Sequence, residues 1–188
     1  MTHGEPMALA LIALLLLELV LQLAWNARYW CVGIVVFTQT LPASAAARNQ
    51  LALGSLQHDV DPAGWLPLAF HRLPDGSLAF RERWGASVAR RYYPVMRGRI
   101  VVDARRREIR VLGLCNWNVL AIALSSLPVA MLHPASAALL LVLPLFWVSH
   151  VFQRRRFLVV VQALRAQLDT GRSVEAMLDA RMLARRPR

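Results

Sequence analysis

A chain of 188 residues that is 57% hydrophobic exceeds the apolar share of about 45–50% found in ordinary soluble domains, which excludes that class as a first reading. Its formal charge of +11 leaves two partners that want positive charge, nucleic acid or an anionic lipid surface. Its two cysteines, Cys31 and Cys115, stand in neither a zinc nor a CxxC spacing and exclude a disulfide framework.

All 22 cationic side chains are arginines, and they avoid the two most apolar stretches completely. None occurs in residues 1–27 or 113–153, thirteen occur in 28–112, and nine in 154–188. Apolar blocks free of positive charge, alternating with basic blocks, are the pattern of a membrane protein whose basic parts share one side of a bilayer.

The first apolar block, Met7–Trp25, holds eleven Leu, Ile or Val residues. Together they favour insertion by about 3–6 kcal/mol, against about 2–3 kcal/mol lost to a charged Glu18. Only Glu5 is charged in Met1–Pro6, so the positive n-region of a cleaved signal peptide is missing; Arg28 follows the block instead. This flank is that of an anchor with its N-terminus outside. Trp30–Leu41 is apolar but too short for a span, and its Val32, Ile34, Val35 and Val36 favour a strand or an interfacial extension of the first helix.

The middle segment reads as a small antiparallel sheet of four to six strands. Pro42 and Ser44 open a short helix at Ala43–Leu56. Leu66–Leu73 and Leu78–Trp84 flank the turn Pro74-Asp75-Gly76, with Leu78, Phe80 and Trp84 alternating against Arg81 and Arg83. A second hairpin pairs Arg99–Asp103 with Glu108–Leu112: Ile100 and Val102 share one face, as do Ile109 and Val111, and the outer faces carry Arg99, Asp103, Glu108 and Arg110. It runs through Leu112-Gly113-Leu114 into the next apolar block without a linker, as a rigid collar on the membrane.

The second and third spans are predicted at Gly113–Leu132 and Ala135–Phe152, joined by a tight hairpin at His133-Pro134. Pro128 and Pro144 fall inside these helices and predict kinks. Arg154-Arg155-Arg156 then stops the third span, placing three guanidinium groups at lipid headgroups. In the tail, Phe157, Val160, Val161, Leu164 and Leu168 recur at helical spacing; Asp169-Thr170-Gly171 reads as a stop, and Ser173 caps a second short helix. These amphipathic helices lie in the interface, bind a partner or cover the sheet.

The expected architecture is therefore an α+β membrane protein with three transmembrane helices: an N-terminal anchor at 1–28, a cytoplasmic β-rich domain at 29–112, a transmembrane helical hairpin at 113–153 and a basic cytoplasmic helical tail at 154–188. The expected place is a bacterial inner membrane, with the N-terminus outside and both basic segments in the cytoplasm.

Candidate chemistry is sparse. Glu18 and Gln22 lie four residues apart on one helix face, which favours a polar contact with another helix in the membrane over an ion path. Trp117 reads as an interfacial anchor between Asn116 and Asn118, and Ser125 and Ser126 as local carbonyl partners. His58, Asp59 and Asp61, with His71 further on, could ligate a divalent ion, but nothing fixes their geometry and no metal or cofactor is expected. His133 and His150 lie at opposite ends of a span and do not form a haem pair. No Walker A, GxSxG or HExxH motif occurs. Arg81, Arg83, Arg90, Arg91, Tyr92 and Tyr93 suit anionic lipid better than nucleic acid. The function expected is a non-enzymatic accessory, scaffold or inhibitory (immunity-like) subunit that binds another protein or further copies of itself. Two alternatives stand beside it: an oligomeric transporter or channel subunit built around Glu18 and Gln22, and a lipid enzyme using His58, Asp59 and Asp61.

Overall fold

The computed structural model describes residues 4–42, 56, 60, 67–82, 92–103, 105–132 and 134–184. In chain order the elements are α1 (Gly4–Leu23), α2 (Ala27–Cys31), β1 (Val35–Pro42), β2 (Leu68–Arg72), β3 (Leu78–Glu82), β4 (Met96–Asp103), β5 (Glu108–Cys115), α3 (Trp117–Leu132), a 3₁₀ segment (Pro134–Leu141) and α4 (Val142–Ala184). The five strands form one antiparallel sheet in the order β1-β5-β4-β3-β2. Both predicted hairpins are present, β2–β3 about Pro74-Asp75-Gly76 and β4–β5 after Asp103. Of the two readings offered for Trp30–Leu41, the strand is present, as β1 from Val35; Trp30 and Cys31 close a separate short helix, α2, rather than extend α1.

One face of the sheet carries Phe37, Leu41, Leu78, Phe80, Ile100, Ile109 and Val111, all buried against Phe157, Val160, Val161, Leu164 and Leu168 of α4. The tail stripe legible in the sequence thus covers the sheet. Pairing places Phe70, Phe80, Gly98, Gly113 and Phe37 in one row across all five strands. The two glycines make a trough in that row. The Phe80 ring lies over Gly98 and Phe157 over Gly113, Phe157 standing edge-on to Phe37 at 5.7 Å and 4.8 Å from Phe80.

A Cβ at Gly98 would stand 2.0 Å from the Phe80 ring, which is itself held between Phe70 and Phe157 and cannot swing aside. Gly98→Ala is expected to destabilise the fold by about 1–3 kcal/mol through overpacking. Thermal unfolding of the purified protein would register this as a lower Tm.

Two sequence expectations are corrected. First, among the described residues one helix, not three, is long and apolar enough to cross a bilayer; it lies within Ala137–Thr170. The apolar parts of the other two, Leu9–Leu23 and Trp117–Met131, are shorter. At 1.5 Å per residue, fifteen residues rise about 22 Å, less than the roughly 30 Å of hydrocarbon. Second, the tail is not a pair of short amphipathic helices. α4 is one helix of 43 residues that runs through Arg154-Arg155-Arg156 and through Asp169-Thr170-Gly171. Thr170 remains compatible with a helix because its hydroxyl donates to Ala166 O at 2.9 Å.

The return after α3 is also looser than a tight hairpin, since Pro134 opens a 3₁₀ segment and α-helical geometry resumes at Val142. Pro144 consequently falls in the first turn of α4, where a missing N–H breaks no helical bond, while Pro128 does lie inside α3. The predicted helix at Ala43–Leu56 lies outside the described residues except for Leu56, which is buried in the core with Val60. Cys31 and Cys115 are both free thiols.

Candidate functional site: two buried glutamate–arginine clasps

α1 ends at Leu23, and the chain reverses through Trp25, which has a left-handed φ of 51°. That cost is offset by stacking on Trp30 at 5.3 Å and on His71 at 5.1 Å, with the Arg81 guanidinium 5.0 Å from the Trp25 ring. Asn26 then caps α2, its side chain accepting from the Tyr29 N–H. The reversal lays Tyr29 back against α1, beside Glu18 and Gln22.

Glu18 is 2% exposed although it sits in a helix of leucines. Its two oxygens accept from the backbone N–H groups of Trp117, at 2.8 Å, and Asn118, at 2.7 Å, and from the Tyr29 hydroxyl. The carboxylate therefore caps the start of α3, where free N–H groups and the helix dipole favour negative charge. Burial pushes the Tyr29 phenol well above its ordinary range, so it stays a donor to Glu18. Its oxygen in turn accepts from Gln22 Nε2 at 3.0 Å and from Arg97 Nη1 at 3.2 Å.

Arg97 is the hub of this clasp. It projects from β4 onto the face opposite the aromatic trough and is 1% exposed. Its guanidinium lies 3.9 Å from the Tyr29 ring centroid and 3.8 Å from Glu18 Oε1. Nη1 donates to Cys115 O at 2.8 Å; Nη2 donates to Tyr29 O at 3.0 Å and to Val32 O. Gly33 permits this approach, because a Cβ there would stand 2.8 Å from Nη2. One arginine thus ties the ends of α2 and β5 to the acid of α1. β5 passes into α3 through Asn116 alone, whose Nδ2 donates to Pro94 O at 2.8 Å.

A second clasp of the same composition lies on the trough face. Arg156 of α4 stands 3.8 Å from Glu82 of β3, and both are buried. Tyr92 donates to Glu82, and Gln153 Oε1 accepts from the N–H groups of Val95 at 2.9 Å and Met96 at 2.7 Å. Burial pushes the Glu82 carboxyl above the usual range; the Tyr92 hydroxyl and the Arg156 charge pull it back only in part. Each clasp joins a Glu, a Tyr, an Arg and a Gln, and each fastens a helix to the sheet.

The structure brings Glu18 and Gln22 together through Tyr29, with α3 as the partner helix. It separates the three arginines: Arg154 and Arg155 are exposed, whereas Arg156 is 4% exposed and faces Glu82 rather than a headgroup. Successive helical residues turn by about 100°, and Arg156 falls with Gln153, Phe157 and Val160 on the buried face of α4, while Arg154 and Arg155 turn away from it. His58, Asp59 and Asp61 lie outside the described residues, as do His133, Arg83, Arg90 and Arg91. Among the described residues no three His, Cys, Asp or Glu side chains gather as metal ligands.

Sequence reasoning missed Arg97, Tyr29, Glu82 and Gln153. The strand pattern gave no signal for Arg97, which shares its face of β4 with Arg99 and Asp103; the one hint was a lone carboxylate among leucines, which calls for a compensating partner in the fold.

Beside the first clasp a cavity of about 400 Å³ opens between α1, the α2 turn and α3, lined by Leu14, Leu17, Leu21, Val32 and Trp117 together with Glu18, Asn26, Arg28 and Tyr29. Comparison with known proteins adds no relative: no protein-family model, curated protein or solved structure matches this chain.

Proposed function

We propose that this chain is a non-enzymatic accessory or scaffold subunit of a bacterial inner membrane, whose apolar helical end is immersed in the bilayer and whose sheet and basic helix serve a protein partner on the cytoplasmic side. One observation carries the reading. Large apolar side chains lie exposed on α1 (Leu9, Ile12, Leu16, Val20), on α3 (Leu124, Leu127, Met131) and on the 3₁₀ segment and early α4 (Leu141, Leu145, Trp147). Only 11% of the most apolar stretch within Ala137–Thr170 is buried, whereas the core helix of a soluble protein would be mostly buried.

The exposed Val32, Ile34, Val35 and Val36 lie beside the start of α3 and continue this surface to the level of Trp117. Arg154 and Arg155 stand just beyond it on α4. Aromatic and basic residues at the edge of an apolar surface mark a membrane interface. The acids and arginines at the centre of the fold are engaged with one another, which supports a holding role rather than chemistry. The same saturation weighs against a channel built on Glu18, because both its oxygens are already occupied.

The test is flotation with phospholipid vesicles after an alkaline wash, followed by mass measurement of the particle extracted from native membranes. Retention by the vesicles and a particle mass above the 21.1 kDa chain are expected. A protein that stays in the soluble fraction, or a lone monomer, would overturn the reading.

A further inference from the structure

We infer that the cavity beside the first clasp is a binding site for one anionic phospholipid, with an acyl chain along α1 and the phosphate at Arg28. The inference rests on the membrane reading above and deepens it. The cavity wall is a stripe of leucines: Leu14, Leu17 and Leu21 recur at helical i, i+3, i+7 spacing, and Val32 and Trp117 close the opposite side. At about 400 Å³ it falls within the range of small-molecule sites, roughly 300–1,000 Å³. Water fills such an apolar space poorly, and within a bilayer the available apolar filler is a lipid chain.

Charge selects the headgroup. Glu18 borders the cavity but does not repel an anion, since Arg97, Tyr29 and the first N–H groups of α3 already compensate it. Asn26 is occupied in capping α2. Arg28 is exposed at the cavity and forms no ion pair among the described residues. It is therefore the uncompensated cation, and Trp117 supplies the amphipathic ring that suits headgroup level. A phosphodiester at Arg28 and an apolar chain against the leucines of α1 match the two kinds of side chain that line the cavity.

The experiment uses the full chain in neutral detergent. Thermal unfolding is followed with phosphatidylglycerol, with phosphatidylcholine, or with inorganic phosphate added. Phosphatidylglycerol is expected to raise the Tm most, and phosphate alone not at all. Arg28→Gln lies at an exposed position and leaves the fold intact; it is expected to lower the preference for phosphatidylglycerol over phosphatidylcholine by about fivefold, the factor one basic side chain contributes at an anionic surface. Leu17→Trp, which fills the cavity, is expected to abolish the response to both lipids. Arg154→Gln with Arg155→Gln is expected to preserve it.

A preference unchanged in Arg28→Gln, or lost only in the Arg154/Arg155 variant, overturns the inference. So does an equal response to free phosphate. If Leu17→Trp fails to fold, Arg28→Gln decides alone. A chain that floats with phosphatidylcholine vesicles but shows no headgroup preference overturns this site and leaves the membrane reading standing. A chain that floats with no vesicle overturns both.

Discussion

Glu18→Ala is expected to lower the unfolding free energy by about 3–5 kcal/mol, the cost of removing one partner from a buried ion pair. The loss has three parts. The N–H groups of Trp117 and Asn118 lose their acceptor at the start of α3. The Tyr29 hydroxyl loses the carboxylate to which it donates. Arg97 keeps its carbonyl partners but loses its only nearby countercharge among the described residues. Glu18→Gln keeps an acceptor oxygen but turns an amide donor toward groups that are themselves donors, so an intermediate loss is expected.

Because Glu18 and Arg97 belong to one network, their losses will not add. In urea unfolding of the detergent-solubilised protein, Arg97→Ala should cost less in the Glu18→Ala background than alone. Glu108→Ala is the control. Its pair with Arg110 at 3.3 Å is partly exposed, and loss of such a pair is expected to cost under about 1 kcal/mol. Equal effects of Glu18→Ala and Glu108→Ala would show that the clasp does not hold α1 to α3.

Arg156→Ala is expected to be of similar size, about 3–5 kcal/mol near pH 8, and to depend on pH. Glu82 has its carboxyl raised from an ordinary value of 4.5, first by burial and then only partly restored by Tyr92 and Arg156. The folded protein therefore binds this proton more tightly than the unfolded chain. The resulting stability is fully present below pH 4.5 and is lost as pH rises through the folded value. Removing the Arg156 charge raises that value further. The cost of Arg156→Ala should thus be greatest in alkaline buffer, where Glu82 must ionise without a counterion, and should shrink as pH falls toward 4.5. Glu82→Gln should remove the pH-dependent part. A cost of Arg156→Ala that is flat between these limits would show that Glu82 does not titrate in the clasp. Asp75 works in the opposite direction: against the cost of burial, the Ser77 hydroxyl and N–H and the Arg99 guanidinium hold its carboxyl low, so its contribution fades as pH falls below 3.8. Comparing each variant with the wild type at each pH removes that background.

The sheet was largely legible because its signals are local. Pro74-Asp75-Gly76 marks a turn by composition, and the alternation of Leu78 with Phe80 and of Ile109 with Val111 marks a buried face by its period of two. The stripe Phe157–Leu168 was legible for the same reason at helical period, although its target was not. What failed were counts that depend on context. Asp169-Thr170-Gly171 has the composition of a helix stop, yet one glycine costs a helix only about 1 kcal/mol and α4 runs past it. The three apolar blocks were legible as apolar, but among the described residues only the last lies in a helix both long and apolar enough to cross a bilayer.

Glu18 was legible as an oddity, a carboxylate where leucines are expected. Its answer, Arg97, lies 79 positions along the chain, and no period or spacing links the two. Tyr29 could be assigned to the clasp only once Trp25 had turned the chain back on α1.

From the sequence alone follow the alternation of apolar and arginine-bearing blocks, the two hairpins and the apolar helical stripe of the tail. These are properties of neighbouring residues, and the backbone geometry of strand and helix carries them directly. Tertiary structure decided which arginines are buried, which acid meets which cation, and how far each helix extends. Those outcomes depend on desolvation and on contacts between distant segments, and the cost of a buried charge is not defined until the fold has placed its partner.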